Sequence, residues 1–98
     1  MALLQGTFAS TGRLYDTDPT FVIRGAEKKE GILVLDIGGA TTVTVEVSQD
    51  NGATWITESA HTTDTVEHYK FPSDKVLYTL NCTVYAASTP YTFSDGRD

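Results

Sequence analysis

The chain has 98 residues, a formal net charge of −6 and an isoelectric point near 4.6. This length supports one small domain and excludes a catalytic β-propeller, which needs several four-stranded blades. The acidic balance argues against a basic surface for nucleic acid, and the single cysteine, Cys82, excludes an internal disulfide.

The N-terminal segment MALLQGTFAS, residues 1–10, has neither the basic start nor the long apolar run of a secretory signal. No apolar stretch approaches the length of a membrane span. We therefore expect a protein that is made and kept in the cytoplasm, or in a particle assembled there. We expect neither a membrane nor a nucleic acid as its partner.

Short strand patterns separated by turn residues make up most of the sequence. In chain order, the predicted strands are Leu3–Ala9, Thr20–Arg24, Gly31–Gly39, Thr41–Ser48, Ala53–Thr57, Thr65–Phe71, Lys75–Tyr85 and Thr89–Phe93. The segment GAEKKEG, residues 25–31, is predicted to be a charged loop. This spacing predicts an all-β fold, a single antiparallel β-sandwich or jelly roll over residues 1–98, with a frayed tail at 94–98. A small open β-barrel is the alternative.

Residue alternation along the strands predicts which surfaces are buried. In Gly31–Gly39 both sides are apolar, so Ile32 and Val34 face away from the side that carries Leu33 and Leu35. A small sandwich has a single core, and this surplus apolar surface therefore predicts contact with another subunit. The candidate contact residues for an oligomer or a capsid are Ile32, Val34, Leu77 and Tyr85, together with the charged residues Glu27, Lys28, Lys29 and Glu30.

The stretch SQDNGATW, Ser48–Trp55, matches the pattern Ser-x-Asp-x-Gly-x-Thr-Trp, which resembles the Asp box of sialidases and other β-propeller proteins. Asn51 and Gly52 tolerate positive φ and form a strong hairpin signal, and Asp50 can accept hydrogen bonds from turn amides. Trp55 is predicted to seat the hairpin on the core. A sugar- or cation-binding turn is the functional alternative. We favour a structural clasp formed by Ser48, Asp50, Asn51, Gly52, Thr54 and Trp55, because a tight turn demands these residue types.

No set of residues in the sequence has the types and spacing typical of a catalytic or metal-binding site. The histidines His61 and His68 show no zinc-site spacing with Asp64 or Glu67, because His61 falls in a predicted loop and Glu67 points away from His68. Cys82 lies on an apolar strand face, where a thiol usually serves packing. We therefore predict no catalytic residue, no metal and no cofactor. Seven aromatic residues could form a carbohydrate platform, although core or subunit contact is the better interpretation: Tyr15, Phe21, Tyr69, Phe71, Tyr85, Tyr91 and Phe93.

As a whole, the chain resembles the small virion proteins of tailed bacteriophages. The resemblance is carried by the Thr- and Val-rich strands, the segment LVLDIGGATTVTVEVSQDNGATWI at Leu33–Ile56, the single cysteine, the acidic charge and the lack of a secretion signal. It covers most of the chain. It implies a non-enzymatic capsid decoration, or cement, protein that binds the major capsid protein or other virion proteins as a homotrimer and stabilises the particle. The alternatives are a tail, fibre or head–tail component and a carbohydrate-binding β-sandwich module.

Overall fold

The computed structural model describes residues 3–18, 21–24, 29–71 and 76–94 of the chain. Strands dominate these residues, and the only helix among them is a single short turn. The elements are β1 (Leu3–Phe8), β2 (Gly12–Arg13), α1 (Leu14–Thr17), β3 (Ile23–Arg24), β4 (Lys29–Leu35), β5 (Thr42–Ser48), β6 (Ile56–His61), β7 (Thr65–Phe71), β8 (Leu77–Val84) and β9 (Thr89–Ser94).

Two antiparallel sheets make up the fold. Sheet I has the strand order β1-β9-β4-β7, and sheet II has the order β2-β8-β5-β6, with β3 also paired to β8. Strands β2 and β3 follow one another along the same edge of β8, since Gly12 lies opposite Cys82 and Ile23 lies opposite Tyr78. Counted as one interrupted strand, they give eight strands in the orders 1-8-3-6 and 2-7-4-5, which is the jelly-roll arrangement. The predicted all-β sandwich is confirmed, and the sheets are separate rather than closed into a barrel.

The hydrophobic core lies between the sheets and follows the predicted alternation. Val43 and Val45 of β5 are fully buried in one cluster with Leu33 of β4 and Leu80 of β8. Phe93 of β9 is fully buried in the same cluster. Because strand side chains alternate between the two faces, the residues between these positions must lie on the outer faces of the sheets.

One end of the sandwich is tied together by two buried threonines. Thr41 Oγ1 accepts hydrogen bonds from Ala86 N at 2.9 Å and from Ala87 N at 3.1 Å. Thr89 Oγ1 accepts a hydrogen bond from Gly38 N at 3.0 Å. These contacts fix the β4–β5 and β8–β9 loops to each other at this end.

Most strands differ from the predicted bounds, and the differences at β4 and β6 have a clear local cause. β4 ends at Leu35, and beyond it Ile37 N donates to Asp64 Oδ1 at 2.9 Å rather than continuing the sheet. β6 runs from Ile56 to His61, later than the predicted 53–57, because the turn at Ser48–Trp55 occupies the residues before it. His61, which the sequence placed in a loop, is therefore a strand residue.

No helix was predicted between β2 and β3, and the strand predicted at Thr20–Arg24 corresponds to the shorter β3, Ile23–Arg24. We call residues 14–22 the insert; the structure describes residues 14–18, 21 and 22 of it, including α1. Of the predicted charged contact loop, Glu27 and Lys28 lie outside the described residues, while Lys29 and Glu30 belong to β4. The predicted frayed tail begins at Ser94, which is instead the buried last residue of β9; residues 95–98 lie outside the described part.

Candidate interaction surfaces

The Asp-box turn between β5 and β6 forms a closed set of hydrogen bonds. Ser48 Oγ accepts a hydrogen bond from Gly52 N at 2.8 Å and donates one to Asp50 Oδ1 at 2.8 Å. Asp50 also accepts hydrogen bonds from Thr54 N at 2.9 Å and from the Thr54 hydroxyl. Asn51 and Gly52 have φ values of 61° and 95°, the left-handed conformation that their residue types favour.

These hydrogen bonds stabilise the ionised form of Asp50. The hydrogen bonds from Thr54 have the largest effect, followed by the one from Ser48. Together they lower the pKa of Asp50 from 3.8 to about 2. The partners described for this carboxylate all belong to the turn itself. The arrangement is that of a carboxylate used to hold a turn, which is what the clasp interpretation predicts.

Trp55 does not seat the hairpin on the core, contrary to the prediction. Its ring is partly buried and packs on Tyr15 of the insert, with the ring centroids 5.1 Å apart. The Arg13 guanidinium carbon lies 5.8 Å from the centroid of the Trp55 ring. Tyr15 also lies so close to Gly52 that a Cβ there would come within 2.4 Å of the Tyr15 hydroxyl. Trp55 thus joins the turn to the insert, and Gly52 is required by both its φ and this close approach.

A buried ion pair joins β2 to β5 next to the insert. Arg13 Nε donates to Glu46 Oε1 at 2.5 Å, and Arg13 Nη1 lies 3.1 Å from Asp16 Oδ2 of α1. Glu46, which is only 5% exposed, also accepts hydrogen bonds from Asn81 Nδ2 at 2.9 Å and from Thr44 Oγ1 at 3.3 Å. The charge of Glu46 is therefore buried with a cation and two further donors, which is the condition under which a protein tolerates a buried charge.

Part of the outer face of sheet II, over β5 and β8, is covered by the chain itself, whereas Thr57 and Ala60 of β6 are exposed. Thr79 Oγ1 donates to the carbonyl oxygen of Phe21 in the insert at 3.0 Å, and both Ser48 and Thr79 are fully buried although they alternate with core residues. Leu77, the Cα partner of Ser48, is only 3% exposed. The prediction that Leu77 lies on a free outer face is therefore wrong, because the folded chain encloses this side of the sheet.

The outer face of sheet I is different. Val34 of β4 and Val66 of β7 are Cα partners, and they are 38% and 64% exposed. Ile32 is half-buried and lies opposite the exposed His68. Since Leu33 between Ile32 and Val34 is fully buried in the core, alternation directs these two side chains outward, as predicted. We call Ile32, Val34 and Val66 the sheet I patch.

The surroundings of the patch carry both signs of charge. Glu30 of β4 and Lys70 of β7 are exposed Cα partners at one end of the patch. Tyr85, the remaining predicted contact residue, lies elsewhere: it follows the exposed Val84 at the end of β8 and is 36% exposed. The apolar surface predicted from the sequence is thus divided between the sheet I patch and a smaller site beside the β8–β9 loop.

The β6–β7 edge of the sandwich contains a polar cluster that the sequence did not predict. Ser59 Oγ lies 3.0 Å from both His61 Nε2 and the Tyr69 hydroxyl. The Tyr69 hydroxyl donates to Glu67 Oε2 at 3.2 Å. Burial is the main cause that raises the pKa of Tyr69 to about 12, so that its hydroxyl remains a hydrogen-bond donor.

This cluster does not have the geometry of a serine–histidine–acid triad. In a triad, the acid orients the histidine through the nitrogen opposite the one that faces the serine. Here Ser59 Oγ and Glu67 Oε2 both approach Nε2 of His61, at 3.0 Å and 4.0 Å, and Nδ1 lies 3.4 Å from Thr65 Oγ1. Cys82 is buried in the core, and burial raises the pKa of its thiol, which disfavours the reactive thiolate.

No three His, Cys, Asp or Glu side chains of the described residues are placed to hold a metal ion together. Residues 3–18, 21–24, 29–71 and 76–94 contain no helix with the length and apolar character needed to cross a membrane. A groove of about 220 Å³ lies beside β5 and β6, and the described residues that line it, none of them aromatic, are Val47, Gln49, Ile56 and Glu58.

No protein-family model, no curated protein and no solved structure matches this chain.

Proposed function

We propose that the chain is a non-catalytic structural protein of a tailed-bacteriophage particle, which binds the outer surface of the capsid as a decoration protein and stabilises it. The observation that carries this proposal is the sheet I patch. It exposes β-branched apolar side chains on a sheet face, whereas on the equivalent face of sheet II the residues of β5 and β8 are largely buried and Thr79 bonds to the insert. Contiguous apolar surface of this kind is typical of a protein contact site.

The chemistry around the patch indicates what kind of partner it fits. Valine and isoleucine side chains on a sheet present a broad surface with few hydrogen-bonding groups, which suits another protein subunit better than a polar glycan. The net charge of −6 further favours a partner with basic residues around the contact. A surface of the major capsid protein with an apolar centre and a basic rim meets both requirements.

The stabilising effect would come from multivalent binding. Each copy makes a modest contact, and copies that are joined to one another bind neighbouring shell subunits at high effective concentration. Their combined avidity can then exceed the affinity of a single contact by roughly 10²–10⁴-fold. A bridge between neighbouring shell subunits resists their separation, because opening the shell would require these contacts to break.

The alternatives make different use of the same surfaces. A tail, fibre or head–tail component would bind through the same patch, and the position of the chain on the particle distinguishes it from a capsid protein. A glycan-binding module usually needs exposed aromatic rings. Three of the seven aromatic residues considered for that role are buried in the core: Tyr69, Tyr91 and Phe93.

The test compares two surface variants that should both fold. Val34→Asp combined with Val66→Asp places carboxylates in the patch, and Ile56→Asp places one at the more exposed Ile56, which is 68% exposed in sheet II. We expect the patch variant to lose at least roughly tenfold in affinity for capsids, because burying a valine contributes about 1.5–3 kcal/mol. The Ile56 variant should bind like the wild type.

Binding is measured by co-sedimentation with particles that lack the chain, and stability by DNA release on heating. We expect the wild type and the Ile56 variant to delay DNA release and the patch variant not to. Equal DNA release with and without the wild-type chain, together with its absence from the capsid surface by electron microscopy, would contradict the proposal. Wild-type density confined to the tail would support the tail alternative.

A further inference from the structure

Four strands form the edges of the two sheets: β1 and β7 in sheet I, and β2/β3 and β6 in sheet II. Proteins block exposed edges with breaks, bulges, prolines or charged residues, because an open edge pairs with other strands. The insert breaks the β2/β3 edge, and β6 shifts register against β5 between Val45 and Glu46. Glu67 and Lys70 lie on β7. Three of the four edges in the described sandwich are therefore blocked.

Strand β1 has none of these features. Its sequence LLQGTF contains no charged residue and no proline, and its register with β9 is continuous from Leu3–Ser94 to Phe8–Thr89. The side chains of Gln5 and Thr7 are exposed, and a groove of about 160 Å³ lies beside Thr7, at the end of β1 that faces Leu14 and Thr17. Within the described sandwich, β1 is the edge that remains open to pairing.

The direction of the free backbone groups on β1 follows from Pro90. The carbonyl oxygen of Pro90 accepts a hydrogen bond from Asp36 N at 3.0 Å, on the β4 side of β9. Thr7 is the Cα partner of Pro90 on the other side. In an antiparallel pair, residues that do not bond each other direct both backbone groups away from each other. Thr7 therefore directs its N–H and C=O toward the open edge, and by alternation Gln5 and Leu3 do the same.

We propose that β1 pairs with β1 of a second copy of this chain, antiparallel and across a two-fold axis at Gln5. In this register Gln5 lies opposite Gln5 of the second copy, and Leu3 lies opposite Thr7. The outward-directed N–H and C=O groups of all three residues then receive partners. The register keeps the outer face of one sheet I continuous with that of the other, since residues directly opposite each other share a face.

A second copy fits this edge because the strand is complementary to itself. Each chain carries a net charge of −6, so two copies repel unless they meet at an uncharged surface, and β1 has no charged residue. The Gln5 side chains are exposed, and their amides can donate to and accept from each other across the axis. The resulting dimer has one eight-stranded sheet with two sheet I patches on the same side, which would provide the bivalent binding that the proposed function requires. The pairing itself does not depend on that function.

Sedimentation velocity of purified wild-type chain tests the pairing directly. We expect a monomer–dimer equilibrium. Gln5→Lys, which places two like charges opposite each other at the axis, should raise the dimer dissociation constant at least roughly tenfold. The matched control His68→Lys adds the same charge to the same outer face at the β7 edge, and it should leave the dissociation constant unchanged. Gly6 is not suited to substitution, because a Cβ there would lie 2.7 Å from the Tyr91 hydroxyl.

Disulfide cross-linking tests the register. Gln5→Cys should form a covalent dimer under mild oxidation, because opposed Cα atoms lie about 4.5–5.5 Å apart in an antiparallel pair, within disulfide range. Thr7→Cys should not, because the two cysteines would be offset by four residues, about 13 Å. The wild type, whose Cys82 is buried, provides the background.

Three outcomes would overturn the proposal. The first is a wild-type chain that remains monomeric at about 100 μM, where even a weak edge contact would be populated. The second is equal association of wild type and Gln5→Lys. The third is a trimer, which would favour the threefold assembly implied by the phage resemblance. Failure of capsid binding by a chain that still dimerises through Gln5→Cys would reject the proposed function and leave the pairing intact.

Discussion

The outer faces of the two sheets are formed by similar alternating strands, but they differ in how much of their surface the rest of the chain covers. In sheet II, polar residues of β5 and β8 that alternate with the core are themselves buried: Arg13 pairs with Glu46, which is 5% exposed, and the insert accepts a hydrogen bond from Thr79. In sheet I, the paired residues Val34 and Val66 at the centre of the outer face are apolar, and Val66 remains 64% exposed. Polar residues are thus covered over β5 and β8, whereas apolar residues stay exposed on β4 and β7.

This difference indicates which residues stabilise the fold and which are available to bind a partner. A face that is polar and covered serves the domain itself, because its side chains find partners within the chain, as Glu46 does with Arg13. An apolar face that is left open contributes little to folding and is a cost to solubility unless a partner covers it. Substitutions in sheet II should therefore change the free energy of unfolding, whereas substitutions in the sheet I patch should change binding.

Among the contacts outside the core, the largest effect is expected at the ion pair between Arg13 and the buried Glu46. Arg13→Ala leaves the Glu46 carboxylate buried without its cation and should lower the free energy of unfolding by about 3 kcal/mol. The control Asp16→Ala removes the exposed partner of Arg13 and should cost less than about 1 kcal/mol. Urea unfolding followed by circular dichroism measures both. If Arg13→Ala is as stable as Asp16→Ala, the pair between Arg13 and Glu46 does not stabilise the fold.

A smaller loss is expected from the contact between turn and insert. A core tryptophan replaced by alanine costs about 3–5 kcal/mol; since Trp55 is only partly buried outside the core, Trp55→Ala should cost about 2 kcal/mol. Together with Tyr15→Ala and the double variant, it forms a double-mutant cycle. The coupling energy between Trp55 and Tyr15 should be about 0.5–1.5 kcal/mol. Additive losses in the double variant would show that the two rings do not support each other.

The clasp should give a small effect that is present at neutral pH and disappears in acid. The folded-state pKa of Asp50 lies below its ordinary value of 3.8, at about 2, so its stabilising contribution is complete above pH 3.8 and is lost as the pH falls through about 2. Asp50→Asn should be slightly less stable than the wild type at neutral pH, and the difference should shrink over that range. Melting temperatures measured against pH test this, and a difference that stays constant down to pH 2 would contradict it.

The smallest change in stability is expected in the sheet I patch. Val66→Thr keeps a β-branched side chain at an exposed position and should change the free energy of unfolding by no more than about 0.5 kcal/mol. Leu33→Ala, on the opposite face of the neighbouring strand, should cost about 2–5 kcal/mol because Leu33 is fully buried. A large loss in Val66→Thr would mean that the open face also supports the fold.

Local patterns explain why much of the fold could be predicted. Thr65–Phe71 was predicted with its observed bounds, and the strand predicted at Thr41–Ser48 differs from β5 by one residue at its start. Alternation is a property of neighbouring residues, so it can be read without knowing the partner strand. The turn at Asn51 and Gly52 was also predictable, because positive φ is a preference of the residues themselves.

The positions that were predicted wrongly depend on residues distant in sequence. Trp55 packs on Tyr15, and Leu77 is enclosed on a face that the insert helps to cover. The described residues of the insert are held by residues distant in sequence, as the carbonyl oxygen of Phe21 is by Thr79. His61 was assigned to a loop because its surroundings are polar; those polar groups are paired within the cluster that includes Ser59.

The sequence by itself determined the all-β class, the alternation that fills the core, the hairpin at Asp50–Gly52 and the outward direction of Ile32 and Val34. Each of these follows from backbone preferences and from the twofold period of a strand, which act over a few residues. Only the tertiary structure decided which outer face is covered, which buried charge is paired and which edge stays open. Those properties depend on tertiary contacts between segments far apart in the chain, such as the ion pair between Arg13 and Glu46. Local backbone preferences carry no information about such contacts.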